Sequence, residues 1–246
     1  MKKLNWLVLA MLLTVIPALQ SCDDSDGFSI GDIGRDWATV RVIGGGTYYL
    51  EGDKWGTMWL AASDVWGYRP VDGERVVCYF NPLYEDFQGY DFAVKLERVS
   101  RILTKEVEDL TAENEAEYSN DPVVIWQNDI WISGNYLNLV FQQNVPVKEK
   151  HRVSLVRNTT IEYPNDGYIH LEYRYNTYNN LSGYWMEGAV SFNLSSLKID
   201  ENTKGLKIKF KTEKGDEEKV FDLKSIGTPE TVSRISSPDM SSAKLK

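Results

Sequence analysis

Pro164-Asn165-Asp166-Gly167-Tyr168-Ile169-His170-Leu171-Glu172-Tyr173-Arg174-Tyr175 contains the clearest fold signal in the chain. The first four residues are a strong turn signal, because Asn and Asp bond their own backbone and Gly accepts a positive φ. After the turn, Ile169, Leu171, Tyr173 and Tyr175 alternate with His170, Glu172 and Arg174. A period of two puts the four large side chains on one face of a strand and the polar ones on the other. Such a strand is stable only with its apolar face against a core.

The same period runs outward in both directions. Tyr136 to Phe141 brings Leu137, Leu139 and Phe141 to one face, residues 151–157 alternate around Val153 and Leu155, and residues 189–194 follow. Leu206-Lys207-Ile208-Lys209-Phe210-Lys211 keeps its lysines on one side, as an exposed or edge strand would, and residues 218–223 close the set. Seven or eight strands over roughly 100 residues suit a β-sandwich. Nearer the start, strand patterns at 37–43, 47–50, 57–60, 75–80, 90–96 and 101–110 are separated by Gly44-Gly45-Gly46, Gly52-Asp53-Lys54 and Asp72-Gly73. Five or so short strands there fit a small Greek-key barrel of the OB type. No stretch reads as a long amphipathic helix. The fold class is therefore all-β, with an OB-like small barrel over 35–115 and a β-sandwich over 120–225. The polar, acidic stretch 111–122 is the expected linker, with room for one helical turn, and the serine-rich tail 226–246 is expected to be disordered.

Residues 1–21 have the order of a secretory signal: Lys2 and Lys3, an apolar run from Leu4 to Leu19, and Pro17 near its end. That run falls short of the about 20 apolar residues that a spanning helix needs. Leu19-Gln20-Ser21-Cys22 resembles a lipobox, which implies cleavage before Cys22 and lipid on its thiol. Membrane attachment then comes from acyl chains, not from the folded part. Residues 22–34 read as an acidic tether, in which Asp23, Asp24 and Asp26 resemble the surface-export signal of Bacteroidetes lipoproteins. The expected location is the outer membrane, lipid-anchored and surface-exposed, with a periplasm-facing orientation as the alternative. Asp24, Asp26 and Gly27 overlap part of a calcium loop, yet Cys22 and Ile33 stand where acids would be required.

Removing Lys2 and Lys3 with the signal takes the formal charge from −9 to −11, since residues 1–21 hold no acid. That balance opposes a nucleic-acid partner, whose affinity rests on basic neutralisation of phosphates. With Cys22 lipidated, Cys78 is the remaining cysteine, so no internal disulfide is expected, and its strand-like setting suits a small buried hydrophobe. His151 and His170 are the two histidines. No Gly-x-Ser-x-Gly, His-Glu-x-x-His, Cys-x-x-Cys or phosphate-cradling glycine motif occurs. No catalytic residue, metal or cofactor is expected, and the chain reads as a non-enzyme.

Several segments together resemble the NigD-like family of Bacteroidales lipoproteins. They include Asp26-Gly27-Phe28-Ser29-Ile30-Gly31-Asp32, Trp37-Ala38-Thr39-Val40, Tyr48-Tyr49-Leu50 with Thr57-Met58-Trp59-Leu60, Gly134-Asn135-Tyr136-Leu137-Asn138 and Val190-Ser191-Phe192-Asn193-Leu194. The resemblance implies an OB-like domain followed by a β-sandwich, and a family name drawn from a bacteriocin-associated operon in which an immunity role was proposed. It carries over no catalytic residues. One local departure is the tryptophan in Lys54-Trp55-Gly56, where a plain Asp-Gly turn is expected.

Aromatic residues supply the remaining candidate site. Trp55, Trp59, Trp66 and Tyr68, with Tyr48 and Tyr49, crowd one region of the first domain, and Tyr173, Tyr175, Tyr178, Tyr184 and Trp185 form a second cluster. Exposed rings would make a platform for a glycan; buried rings would fill the core. Three functions compete on this basis. One is a surface-anchored binding protein directed at a secreted protein such as a bacteriocin. The second is a carbohydrate-binding accessory lipoprotein, and the third an envelope component assembling through edge strands. Oligomeric state does not follow from the sequence.

Overall fold

The computed structural model describes residues 28–29, 31–126, 129–223 and 244–246. Five strands open the chain: β1 (Gly34–Gly44), β2 (Thr47–Gly52), β3 (Gly56–Ser63), β4 (Arg75–Phe87) and β5 (Tyr90–Arg101). They close into a barrel in the order β1-β2-β3-β5-β4. The β3–β5 pair is parallel and the others are antiparallel. Ala38, Val40, Leu50, Met58, Val76, Cys78, Phe80, Val94 and Leu96 fill it. Their alternation along each strand is what a closed sheet requires of inward-facing positions.

The sandwich follows. Its strands are β6 (Leu103–Glu106), β7 (Glu108–Leu110), β8 (Ile130–Ser133), β9 (Tyr136–Pro146), β10 (Arg152–Asn158), β11 (Tyr168–Asn176), β12 (Leu181–Asn193), β13 (Gly205–Thr212) and β14 (Gly215–Asp222), with one short helix, α1 (Glu115–Tyr118). One sheet runs β14-β13-β11-β10-β7 and the other β6-β12-β9-β8. β11 behaves as its period predicts: Leu171, Tyr173 and Tyr175 are buried in the core between the sheets, and Gly167 takes φ +85° in the preceding turn.

Several expectations change or narrow. Residues 103–110, read as part of the barrel domain, leave it. β6 joins one sandwich sheet parallel to β12, and β7 joins the other parallel to β10. The physical reason is where their apolar side chains go: Leu103 and Val107 pack on the sandwich core, and Leu110 packs with Tyr118 and Val156. The lysine-bearing strand β13 is not an edge, since β11 and β14 pair with it on either side. Its lysines mark an outer face, with Lys207 bonded to Asp166 and Lys209 paired with Asp216. Finally, residues 244–246, inside the tail expected to be disordered, pair with residues 151–153, and Leu245 is buried.

Barrel and sandwich meet across a third apolar cluster. Trp37, Val77 and Ile102 come from the barrel side, and Trp131, Val140 and Ala189 come from the sandwich. Trp37 and Trp131 stand edge to face with centroids 4.9 Å apart. β1 is therefore buried on both faces, with Ala38 and Val40 turned into the barrel and Trp37 turned toward the sandwich. Replacing Trp37 by Ala should cost about 3–5 kcal/mol of stability, the usual range for a buried large aromatic. Urea denaturation followed by calorimetry checks this, and the variant should melt in two steps where the parent melts in one.

Candidate functional site

The four residues expected to form a platform are held in four different settings. Trp55 is half-buried at one end of the barrel, edge-on to Phe80 and Phe92 with centroids 5.1 and 5.0 Å away. The unusual tryptophan in that turn thus closes the barrel. Trp59 lies opposite Tyr49 in the β2–β3 ladder, on the outer face, since the neighbouring pair Leu50–Met58 points inward. Tyr90 lies 5.2 Å from both the Tyr49 and the Trp59 rings, giving a half-buried strip of three aromatics on the barrel exterior. Tyr68 packs on Tyr48, and its hydroxyl donates to Glu74 Oε1. Burial and that carboxylate push the Tyr68 phenol well above its usual range. Trp66 is 92% exposed in the β3–β4 connection. Among the described residues no ring contact joins these four side chains to one another.

The second cluster divides into core and surface. Tyr173 and Tyr175 are core residues, and Tyr178 is half-buried. Tyr184 is 76% exposed and Trp185 54%. Both lie at the end of β12 where the ladder with β9 slips register between Leu181 and Trp185. Gly183 takes φ +82° in that bulge. Bulges re-aim side chains, and here Tyr184, Trp185 and Leu181 stand out beside Val147, which follows the end of β9. All four are exposed where β9 ends and β12 begins.

A cleft of about 410 Å³ opens between barrel and sandwich, lined by Arg41, Glu51, Asp53, Arg75, Asn135 and Tyr136 among others. Arg75 is 1% exposed and donates two bonds to the Asp53 carboxylate, at 2.8 and 2.6 Å, and one to Thr39 Oγ1. Its guanidinium also faces the Trp37 and Tyr136 rings. Tyr136 crosses from the sandwich to donate to the Gly73 carbonyl at 2.8 Å. Arg41 pairs with Glu51 at 2.7 Å, so the ion pairs in the cleft are internally matched. Nearby, Asp36 accepts the Lys54 and Trp55 amides and sits so close to Gly52 that a Cβ there would come within 2.4 Å of its Oδ2.

The two histidines and Cys78 are held in internal contacts. His151 is buried, with Nδ1 2.8 Å from the Tyr175 hydroxyl and Nε2 2.9 Å from the Asn180 carbonyl, and burial lowers its pKa. His170 stacks on Tyr163 beside Asp166. Cys78 is a buried free thiol whose pKa burial raises. Among the described residues no group of three or more His, Cys, Asp or Glu side chains stands together as metal ligands would, and no helix is long and apolar enough to cross a membrane. The signal segment, Cys22, Asp23, Asp24 and Asp26 lie outside the described residues.

A closed OB barrel docked on a nine-strand sandwich defines a two-domain all-β protein. The NigD-like N-terminal OB domain matches residues 37–102, and the NigD-like C-terminal β-sandwich domain matches residues 106–223. The chain belongs to the NigD-like family. Solved structures place it in the same company. A protein of unknown function from Bacteroides vulgatus is 28% identical, with TM-score 0.70 over 87% of this chain and 100% of that one. A Parabacteroides distasonis protein, described provisionally as toxin-related, is 29% identical, with TM-score 0.68 over 78% of this chain and 93% of that one. A NigD-like immunity protein from Bacteroides caccae shares the fold at 17% identity, with TM-score 0.59 over 78% and 94% of the two chains. No curated protein matches the chain.

Asp36 supplies a measurable consequence. Burial raises its pKa from 3.8 to about 6, outweighing the Lys54, Trp55 and Trp37 backbone amides that favour the carboxylate. The folded state therefore holds this proton more tightly than the unfolded chain does, and that stabilisation fades as pH rises from 4 through 6. Relative to Asp36→Asn, the parent should lose about 2 kcal/mol between pH 4 and pH 7, read as the difference between the two urea-unfolding profiles.

Proposed function

We propose that this chain is a non-catalytic, lipid-anchored cell-envelope protein that recognises a secreted protein, in the manner of an immunity protein against a bacteriocin. The observation that carries the reading is the exposure of four large side chains, Val147, Leu181, Tyr184 and Trp185, where β9 ends and β12 begins. Large aromatics are the residues that most often anchor protein interfaces, and these stand in water at the tip of the sandwich. The descriptions of two relatives, one toxin-related and one an immunity protein, support the same direction. The lipobox-like stretch at Cys22 supports attachment to the outer membrane.

Expressed in a bacteriocin-sensitive Bacteroidales strain, the chain should restore growth in supernatants of competing strains. Cys22→Ser should shift it out of the membrane fraction. The pair Tyr184→Ala and Trp185→Ala should leave it in the membrane and abolish protection. Full protection by that double variant, or no protection by the parent against any producing strain, would sink the reading.

A second reading rests on the half-buried strip of Tyr49, Trp59 and Tyr90 across β2, β3 and the start of β5. That outer face is where OB barrels present ligand-binding surfaces, and rings there can stack on sugars. A soluble glycan panel should then shift the tryptophan emission of the parent and leave Trp59→Ala unmoved. An equal response from both proteins, or none from the parent, removes the glycan from consideration.

A further inference from the structure

β10 has a divided outer edge. Its second half, from Val156 to Asn158, pairs with β7. The residues just before, 151–153, face a separate strand made of residues 244–246. His151 N donates to the Lys244 carbonyl at 3.2 Å, Lys246 N donates to the His151 carbonyl at 2.8 Å, and Val153 N donates to the Lys246 carbonyl at 2.9 Å. Leu245 is 1% exposed and enters the sandwich core. Lys246 Nζ lies 4.6 Å from the centre of the Tyr178 ring, and a hollow of about 470 Å³ opens beside it, lined by Lys105, Glu117, Arg152 and Tyr178.

This bridge lies outside the matched domain. The C-terminal β-sandwich match ends at residue 223, and twenty residues separate that point from Lys244. Leu245 is also one of twenty buried residues in its core cluster, and the other nineteen all come from residues 123–210. What leaves with the segment is three backbone bonds, one leucine and the contacts of Lys244 with Met186 and of Lys246 with Tyr178. What remains is an open strand edge with an apolar slot and an aromatic ring positioned for a cation, which is how an edge strand receives a peptide.

We propose that the edge of β10 at residues 151–153 is a peptide-acceptor site. It takes a partner's extended peptide carrying a leucine followed by a basic residue, and the chain's own residues 244–246 are the resident that such a peptide displaces. Backbone bonds to His151 and Val153 supply affinity, and the leucine slot with Tyr178 supplies selectivity. A resident belonging to the same chain competes with every incoming peptide. An incoming peptide therefore binds the closed site far more weakly than the emptied one.

The test uses the chain from Asp23 onward, intact and ending at Ala243, with a fluorescein-labelled peptide of sequence Ser-Ser-Ala-Lys-Leu-Lys as probe. Its anisotropy should rise with the shortened chain and require at least tenfold more of the intact chain. A probe with Asp in place of Leu should bind neither. A shortened chain that keeps the parent's circular dichroism and cooperative melting yet leaves the probe free overturns the proposal. So does equal binding of the probe by the two chains. Should the shortened chain not fold, Leu245→Ser in the intact chain removes the resident's apolar anchor so that the probe can displace it, and the same probe is read on it. Failure of that variant to bind the probe when folded, or failure of both variants to fold, makes the segment a fixed part of the core and equally rejects an acceptor site.

Discussion

The contact between Trp37 and Trp131 sets a constraint that most of the structure obeys. A small barrel can leave its outside in water, but here β1 and β4 are covered outside as well as inside. On β1, Ala38 and Val40 fill the barrel while Trp37 meets the sandwich. On β4, Val76, Cys78 and Phe80 face inward while Val77 joins the interdomain cluster. Burying the outer face also buries Arg75, whose charge is balanced by Asp53 and whose guanidinium lies near two aromatic rings. A buried cation is tolerated only when paired, so the position of Asp53 after β2 is tied to the docking of a domain more than 50 residues further along the chain.

That docking also explains the route of the chain between domains. Ile102 is buried in the interdomain cluster directly after β5, so no flexible linker separates the units there. The following residues go at once to both sandwich sheets as β6 and β7, with Val107 packed on the core between them. The acidic stretch 111–122, which reads as a linker by composition, is an excursion within the sandwich. Its short helix packs Tyr118 under the Arg152 guanidinium, 4.3 Å from the ring centre. Acidity marked a surface segment correctly without marking a domain boundary.

Much of the fold was legible because its signals are local. Period-two alternation in β9, β11 and β12 identifies strands with one apolar face, and Asn165-Asp166-Gly167 identifies the turn where Gly167 adopts a positive φ. The lysines of β13 were equally visible, but alternation reports which face is wet, not whether a strand has neighbours on both sides. Lys207, Lys209 and Lys211 are as compatible with an outer face as with an edge, and pairing with β11 and β14 decides for the face. The strand at residues 244–246 left no signal at all. Three residues are too few for a periodic pattern, and their surroundings are polar.

The sequence by itself determined the class of fold, the order of the two domains and their resemblance to the NigD-like family. These follow from period, turn chemistry and segment order, all short-range properties of the chain. Tertiary structure alone decided which aromatics are core and which are surface. Tyr173 and Tyr184 are the same residue type eleven positions apart, yet one is sealed between two sheets and the other is 76% exposed beside a bulge. Burial depends on which strands meet across a sheet and where the ladder slips, and those relations join residues far apart in the chain.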